Sequence, residues 1–414
     1  MRKELLAIAV AILMMPFSAN AQWWLFPGSP QQKNGTEVPD TLKSRPETSP
    51  ATEEVPGTVT DTLKALLPAD TFEYDMPDVI NVSLLLPLKS DTQKPSANFI
   101  EYYCGALMAV RDLGLKGTKV NLSVFDIAGG LGRITPDVLS ASDVIIGPVS
   151  PQDIESLHAM LPEDKYIVSP IEPKTAGMAD SMRVIQAPVP WTEQTDRLVE
   201  WAGSELSAHD AVILLKDNSE GTPSEQTDYL IRKLEESGID FKTVYSTTFE
   251  GLKLAGTVRF FLASDRDLFL CSAINNIANM VSRRGEGSAV LYSTSKIRSL
   301  EGMNAVSPHI ASARITSAYN IDYDNPDIQD FVRSYRSLFK SEPASFAFSG
   351  YDTVTYFTGI CAKYGRQWPK KLDMYTGHGL QADFKFDSCD GTGTVNTAVR
   401  RVLYTPDLSM LLLQ

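Results

Sequence analysis

Apolar positions first gather at 79–88 (VINVSLLLPL), a continuous, β-branched run that predicts a strand buried on both faces of a parallel sheet. Behind it the period changes from two to three or four. Phe99, Tyr103, Leu107, Val110 and Leu113 fall at helical spacing, and Gly114 and Gly117 close the predicted helix 99–113. The alternation repeats as a strand over 119–125, a short helix near 135–141, a strand over 143–146, a helix over 151–160 and a strand over 166–169. That rhythm predicts a doubly wound α/β unit. Residues 183–191 (RVIQAPVPW) interrupt it with Pro188 and Pro190.

After a helix over 193–206 a second unit starts. Strands are expected at 210–215, 240–245, 259–264, 289–293 and 315–323, with helices at 224–237 and 265–283. Asn325-Pro326 supplies an N-cap followed by proline at the first helical position, which starts a helix reaching Phe339. Another helix is read over 350–364. The tail, 382–386 and 395–403 around a Gly-rich turn, alternates as a β-hairpin.

The leading residues follow a different logic. A basic start (Arg2, Lys3), an apolar stretch over 5–17 and Ala19-Asn20-Ala21 have the form of a cleavable secretory signal over 1–21. The stretch is too short to span a bilayer and contains Pro16. Without a cysteine at the cut, no lipid anchor is expected. Residues 22–78 are rich in Pro, Thr, Glu and Ser and read as a disordered linker, because too little apolar surface is present to offset ordering entropy. Asp40-Thr41-Leu42 and Asp61-Thr62-Leu63 within it have the form of an O-glycosylation sequon.

Composition narrows the function. A length of 414 exceeds what one hydrophobic core usually fills, so two domains are expected. The formal charge of −13, with no basic cluster, argues against nucleic acid and anionic membranes as partners. Cys104, Cys271, Cys361 and Cys389 form no CxxC motif; Cys104 and Cys361 read as buried thiols, with a disulfide between them the alternative. The four histidines lack metal-ligand spacing, and no cofactor motif is present. Ser293-Thr294-Ser295-Lys296 matches SxxK, but neither SDN nor KTG accompanies it, so no enzyme is read.

Several strings in this order resemble the type I periplasmic binding fold of leucine/isoleucine/valine-binding proteins. They are Ile145-Ile146-Gly147-Pro148, Leu214-Leu215-Lys216-Asp217-Asn218, Tyr319-Asn320-Ile321-Asp322-Tyr323-Asp324, Glu342-Pro343 and Ser349-Gly350-Tyr351-Asp352. The resemblance spans about 79–410. It implies two doubly wound three-layer lobes joined by a hinge with chain crossovers, lobe 1 from 79–191 plus 325–375 and lobe 2 from 192–324 plus 376–414. Envelope relatives carry a LysM module before this fold; here the linker holds that place. In such lobes ligands sit beyond the carboxyl ends of the strands. That nominates Lys89, Ser150, Gln152, Ser169 and Glu172 from lobe 1, and Lys216, Asp217, Asn218 and Ser293 from lobe 2, with the start of the helix at 151 as an anion site. Ser150 and Asp217 also suit a helix cap and a turn. Bulky Ile171 and anionic Glu172 depart from the family's small hydroxyl residues and would crowd or repel a free amino acid's carboxylate. The implied function is a periplasmic, non-enzymatic protein binding a small polar ligand, with a transporter permease as partner. The alternative is an envelope protein that uses the fold without a small ligand to regulate a cell-wall enzyme.

Overall fold

The computed structural model describes residues 74–171, 173–219, 224–249 and 256–413. The signal segment, both sequon-like fragments and nearly all of the linker lie outside the described residues. In chain order the first elements are β1 (Ile80–Leu86), α1 (Ala97–Leu115), β2 (Val120–Asp126), α2 (Pro136–Ala141), β3 (Val144–Ile146), α3 (Pro151–His158), β4 (Ile167–Ser169), α4 (Ala176–Ala179), β5 (Val184–Gln186) and α5 (Trp191–Glu205). Next come β6 (Ala211–Lys216), α6 (Glu225–Glu236), β7 (Lys242–Val244), β8 (Val258–Ala263), α7 (Asp267–Arg284), β9 (Ala289–Thr294), α8 (Ser307–Ile310) and β10 (Arg314–Ser317). The chain finishes with α9 (Pro326–Phe339), α10 (Ser345–Tyr364), β11 (Gly377–His378), β12 (Asp383–Phe384), β13 (Thr394–Val395), β14 (Arg400–Tyr404) and β15 (Met410–Leu413).

Two main sheets result. The first is parallel, in the order β13-β5-β4-β3-β1-β2; the second runs β15-β14-β10-β9-β8-β6-β7, with β14 antiparallel to both β10 and β15. The continuous apolar run at 79–88 is explained by β1: Leu84, Leu85 and Leu86 are all wholly buried between helices on either face. One face of the second sheet packs Phe260, Leu291 and Ile315 against α7, and the other packs Leu214, Phe261 and Tyr292 against α5 and α6. In the first lobe α1 and α10 cross at contact distance, because Gly105 and Gly350 have no side chain there. A Cβ on Gly105 would lie 1.9 Å from the Ala347 carbonyl oxygen, and one on Gly350 would lie 2.0 Å from that of Tyr102.

Several expectations are corrected. Val184–Gln186, just ahead of Pro188, is a strand, because its backbone pairs with β4 despite the short run. The strand expected over 315–323 stops at Ser317, where the Ser317 hydroxyl closes a turn on Tyr319. The tail is not one hairpin: β12 pairs with β11, β13 with β5, and β14 with β10 and β15. The boundary expected at 375/376 therefore moves, since β13 still belongs to the first sheet and the chain rejoins the second only at β14. Order also begins before 79. Asp75 pairs with Arg366 at 3.0 Å, and Arg366 in turn holds the buried Asp143 at 2.9 Å.

Candidate functional site

At the strand ends of the first sheet, the groups that could face a ligand are turned onto the protein itself. Lys89 follows β1 with φ +55°, and its N–H, with the N–H and hydroxyl of Ser90, donates to the Asp126 carboxylate at the end of β2. Ala128 adds a fourth donor. Partial burial pushes the Asp126 carboxyl up, but the hydrogen bonds from Ser90, Ala128 and Lys89 outweigh it and hold the pKa below the ordinary range. Sequence reasoning missed Asp126; its signal was an aspartate closing an expected strand.

Ser150 caps α3, accepting from the Asp153 N–H at 3.1 Å while its own hydroxyl donates to the Asp153 carboxylate at 2.6 Å. Pro151 has no N–H, and the Asp153 carboxylate already sits against the positive end of the helix, so this terminus is a poor receptor for a second anion. Gln152 is exposed beside it. Ser169 is wholly buried and accepts from Thr175 at 3.0 Å; Thr175 also meets Gln186 at 2.9 Å. Its expected role on the cleft surface is thereby corrected. Glu172 lies outside the described residues.

At the second sheet, Lys216 is half-buried at the end of β6 and Asn218 is exposed. Asp217 caps its own turn through the Ser219 N–H at 2.9 Å, accepts from Ser264 at 3.1 Å and pairs with Arg266 at 3.6 Å. Burial raises its carboxyl, yet the bonds from Ser219 and Ser264 and the Arg266 charge win, leaving the pKa lowered. Ser264 and Arg266, at the neighbouring end of β8, were not foreseen. Ser293 is half-buried in β9, and the lysine of its SxxK match turns away to the Asp267 carboxylate at 3.0 Å. A serine nucleophile needs that amine on its own hydroxyl. No hydrogen bond or ion pair joins any two of the nominated residues among those described.

The crossovers between the lobes hold a polar cluster of their own. Asp352, buried in α10, accepts from the N–H groups of Leu380, Gln381 and Ala382 at 2.7, 2.8 and 3.1 Å. Arg400 on β14 clamps Asp383 through Nε and Nη2 at 3.2 and 2.8 Å, and also donates to the carbonyls of Gly379, Leu380 and Asn320. A cavity of about 640 Å³ opens beside this cluster, between α1, α9, α10 and residues 375–380, and none of the nominated residues lines it.

The four cysteines are free. Burial pushes the thiols of Cys104, Cys361 and Cys389 up to about 11, 12 and 12, which leaves them unreactive at neutral pH. Among the described residues no His, Cys, Asp and Glu cluster could hold a metal ion, and no helix is long and apolar enough to cross a membrane.

No protein-family model and no curated protein matches the chain. Solved structures do. A putative branched-chain amino acid ABC transporter protein from Rhodospirillum rubrum matches at TM-score 0.54 and 14% identity, over 81% of this chain and 100% of that one. An ABC transporter substrate-binding protein from Desulfitobacterium hafniense, in complex with Leu, matches at 0.43, 14%, 81% and 100%. The C-domain of LpoA from Haemophilus influenzae, a regulator of PBP1A, matches at 0.48, 11%, 81% and 100%. With the first of these and with the two α/β sheets described above, the fold is a type I periplasmic binding-like fold.

Proposed function

We propose that this chain is a non-enzymatic binding protein of the bacterial envelope that takes a small polar ligand between the strand-end loops of its two lobes. The fold supports this, since strands that end on loops facing a hinge make a site that closes around a ligand. The observation that carries it furthest is the contrast between the two rims. On the rim of lobe 1 the Asp126 carboxylate and the hydroxyls of Ser150 and Ser169 are satisfied internally, whereas the rim of lobe 2 keeps the half-buried Lys216 and, at Arg298, buried donors with no acceptor. Catalysis is not part of the proposal, because Lys296 is committed to Asp267. The test is thermal unfolding of the full chain against amino acids, peptides, sugars and muropeptides. A specific ligand at a hundred times its Kd adds about 2.7 kcal/mol of stability; a flat response across the panel rejects the reading.

One observation favours a second reading, an envelope protein that regulates a cell-wall enzyme without a small ligand. Ser150 is closed on Asp153, and Ser169 on Thr175, as two structural pairs. Under that reading, cross-linking in envelope extract returns a cell-wall enzyme, and recovery of a transporter permease alone rejects it.

A further inference from the structure

Arg298 lies in the 3₁₀ turn Ser295–Ser299 that follows β9, beside the start of the crossover into α9. Its Nη1 makes one long contact, 3.4 Å, to the Tyr319 carbonyl. The other edge of the guanidinium, Nε–H and the adjacent Nη2–H, is enclosed by protein and meets no acceptor. Those two parallel N–H groups are the edge whose spacing matches the two oxygens of a carboxylate. Nearby cations are not left this way: Arg266 has Asp217, Lys296 has Asp267 and Arg314 has Glu205. Among the described residues no carboxylate pairs with Arg298. Enclosing charged donors without an acceptor is costly, so such an edge calls for a partner.

We propose, resting on the reading above, that Arg298 receives a carboxylate of the ligand side-on through Nε–H and Nη2–H. The ligand class is thus a carboxylate, held by lobe 2. Lobe 1 is unsuited to that task, because the start of α3 already carries the Asp153 carboxylate. Entry requires the packing that encloses this edge to open, which is the kind of movement a hinge between two lobes supplies.

The test uses the full chain with ¹⁵N-labelled arginine and acetate as the probe, against acetamide and against chloride at equal ionic strength. Acetate is expected to move the Arg298 Nε–H resonance saturably, and the controls are not. Arg298→Lys, which keeps the charge but loses the fork, should weaken the acetate response about tenfold, and Arg298→Met should abolish the acetate-dependent rise in the unfolding midpoint. A resonance that acetate leaves unmoved, or an acetate response that survives in Arg298→Met, overturns the proposal. Without any probe, Arg298→Met should leave the unfolding midpoint unchanged or raise it, since it removes unpaired buried donors. A fall beyond what loss of the long Nη1 contact to Tyr319 explains would mean that Nε–H or Nη2–H already has a partner within the chain and would also overturn the proposal. If a neutral sugar stabilises wild type and Arg298→Met alike while acetate does nothing, the binding-protein reading stands and the Arg298 assignment alone fails.

Discussion

Two carboxyls in the first lobe are withdrawn from water, Glu101 on α1 in part and Asp352 on α10 wholly. Burial pushes Glu101 up to about 7, against one backbone hydrogen bond from Ala344. Burial likewise pushes Asp352 up to about 6, although three backbone N–H groups and Arg400 pull the other way. Both values lie above those of the unfolded chain, so between them the native state binds more protons. Their contribution is present below the unfolded values and is lost as pH rises through about 6 and then 7. Asp126, Asp210 and Asp217 are shifted down, and their contribution is lost only as pH falls below the ordinary aspartate range, about 4. Stability should therefore peak in mildly acidic solution and decline between about pH 5 and pH 8. Glu101→Gln should flatten the upper part of that decline. Unfolding midpoints measured across pH check both, and a midpoint rising steadily to pH 8 contradicts the assignment. At this scale the candidate site was legible only in part. Ser150 and Asp217 were readable as cap and turn former, because a side chain that bonds its own backbone needs only its neighbours in sequence. The Thr175 contact to Ser169, the Lys296 pair with Asp267 and the unpaired edge of Arg298 depend on packing between elements, which no local string encodes.

Elements with a strong period were the readable ones. β1, α1, β6, β8 and α7 stand within two residues of their expected places, because each buries a continuous or helically spaced set of apolar side chains. The tail defeated that reasoning: alternation says that a strand has two faces, not which partner it meets, so β12, β13 and β14 were read as one hairpin and pair with three different regions. The close crossing of α1 and α10 was equally silent, since a glycine inside a helix looks like a defect until the neighbouring backbone is seen. Gly105→Ala puts a methyl group 1.9 Å from the Ala347 carbonyl oxygen, where neither backbone can yield without moving a helix. The expected cost is about 3 kcal/mol or more, at the upper end of overpacking penalties. Gly114→Ala, with nothing within 4 Å of the added Cβ, should be neutral or slightly stabilising. Urea titration separates the two, and equal midpoints would show that the helices do not meet at Gly105.

For the whole molecule the question is what makes two separately cored lobes behave as one. Each sheet has its own apolar clusters, and the chain passes between them at 187–191, at 319–325 and again between β13 and β14. Arg400 stands at the last passage. Its guanidinium belongs to a strand of the second sheet, yet its partners are Asp383, the first residue of β12, and the carbonyls of Gly379, Leu380 and Asn320 along the crossovers. Asp352 on α10 fixes the same 380–382 segment from the first lobe. The two anchors, one from each lobe, hold the same strip of backbone. Arg400→Ala removes five donors, leaves Asp383 with only the exposed His378 at 3.4 Å, and should cost about 3–5 kcal/mol, as breaking a buried pair does. Arg400→Lys keeps the charge but not the fork and should recover a minority of that loss. The distinguishing readout is cooperativity. If Arg400 couples the lobes, the wild type unfolds in one calorimetric transition and Arg400→Ala in two, with the lobe carrying β14 melting first. A single transition displaced to lower temperature would mean that Arg400 stabilises its own sheet and that the lobes are coupled elsewhere.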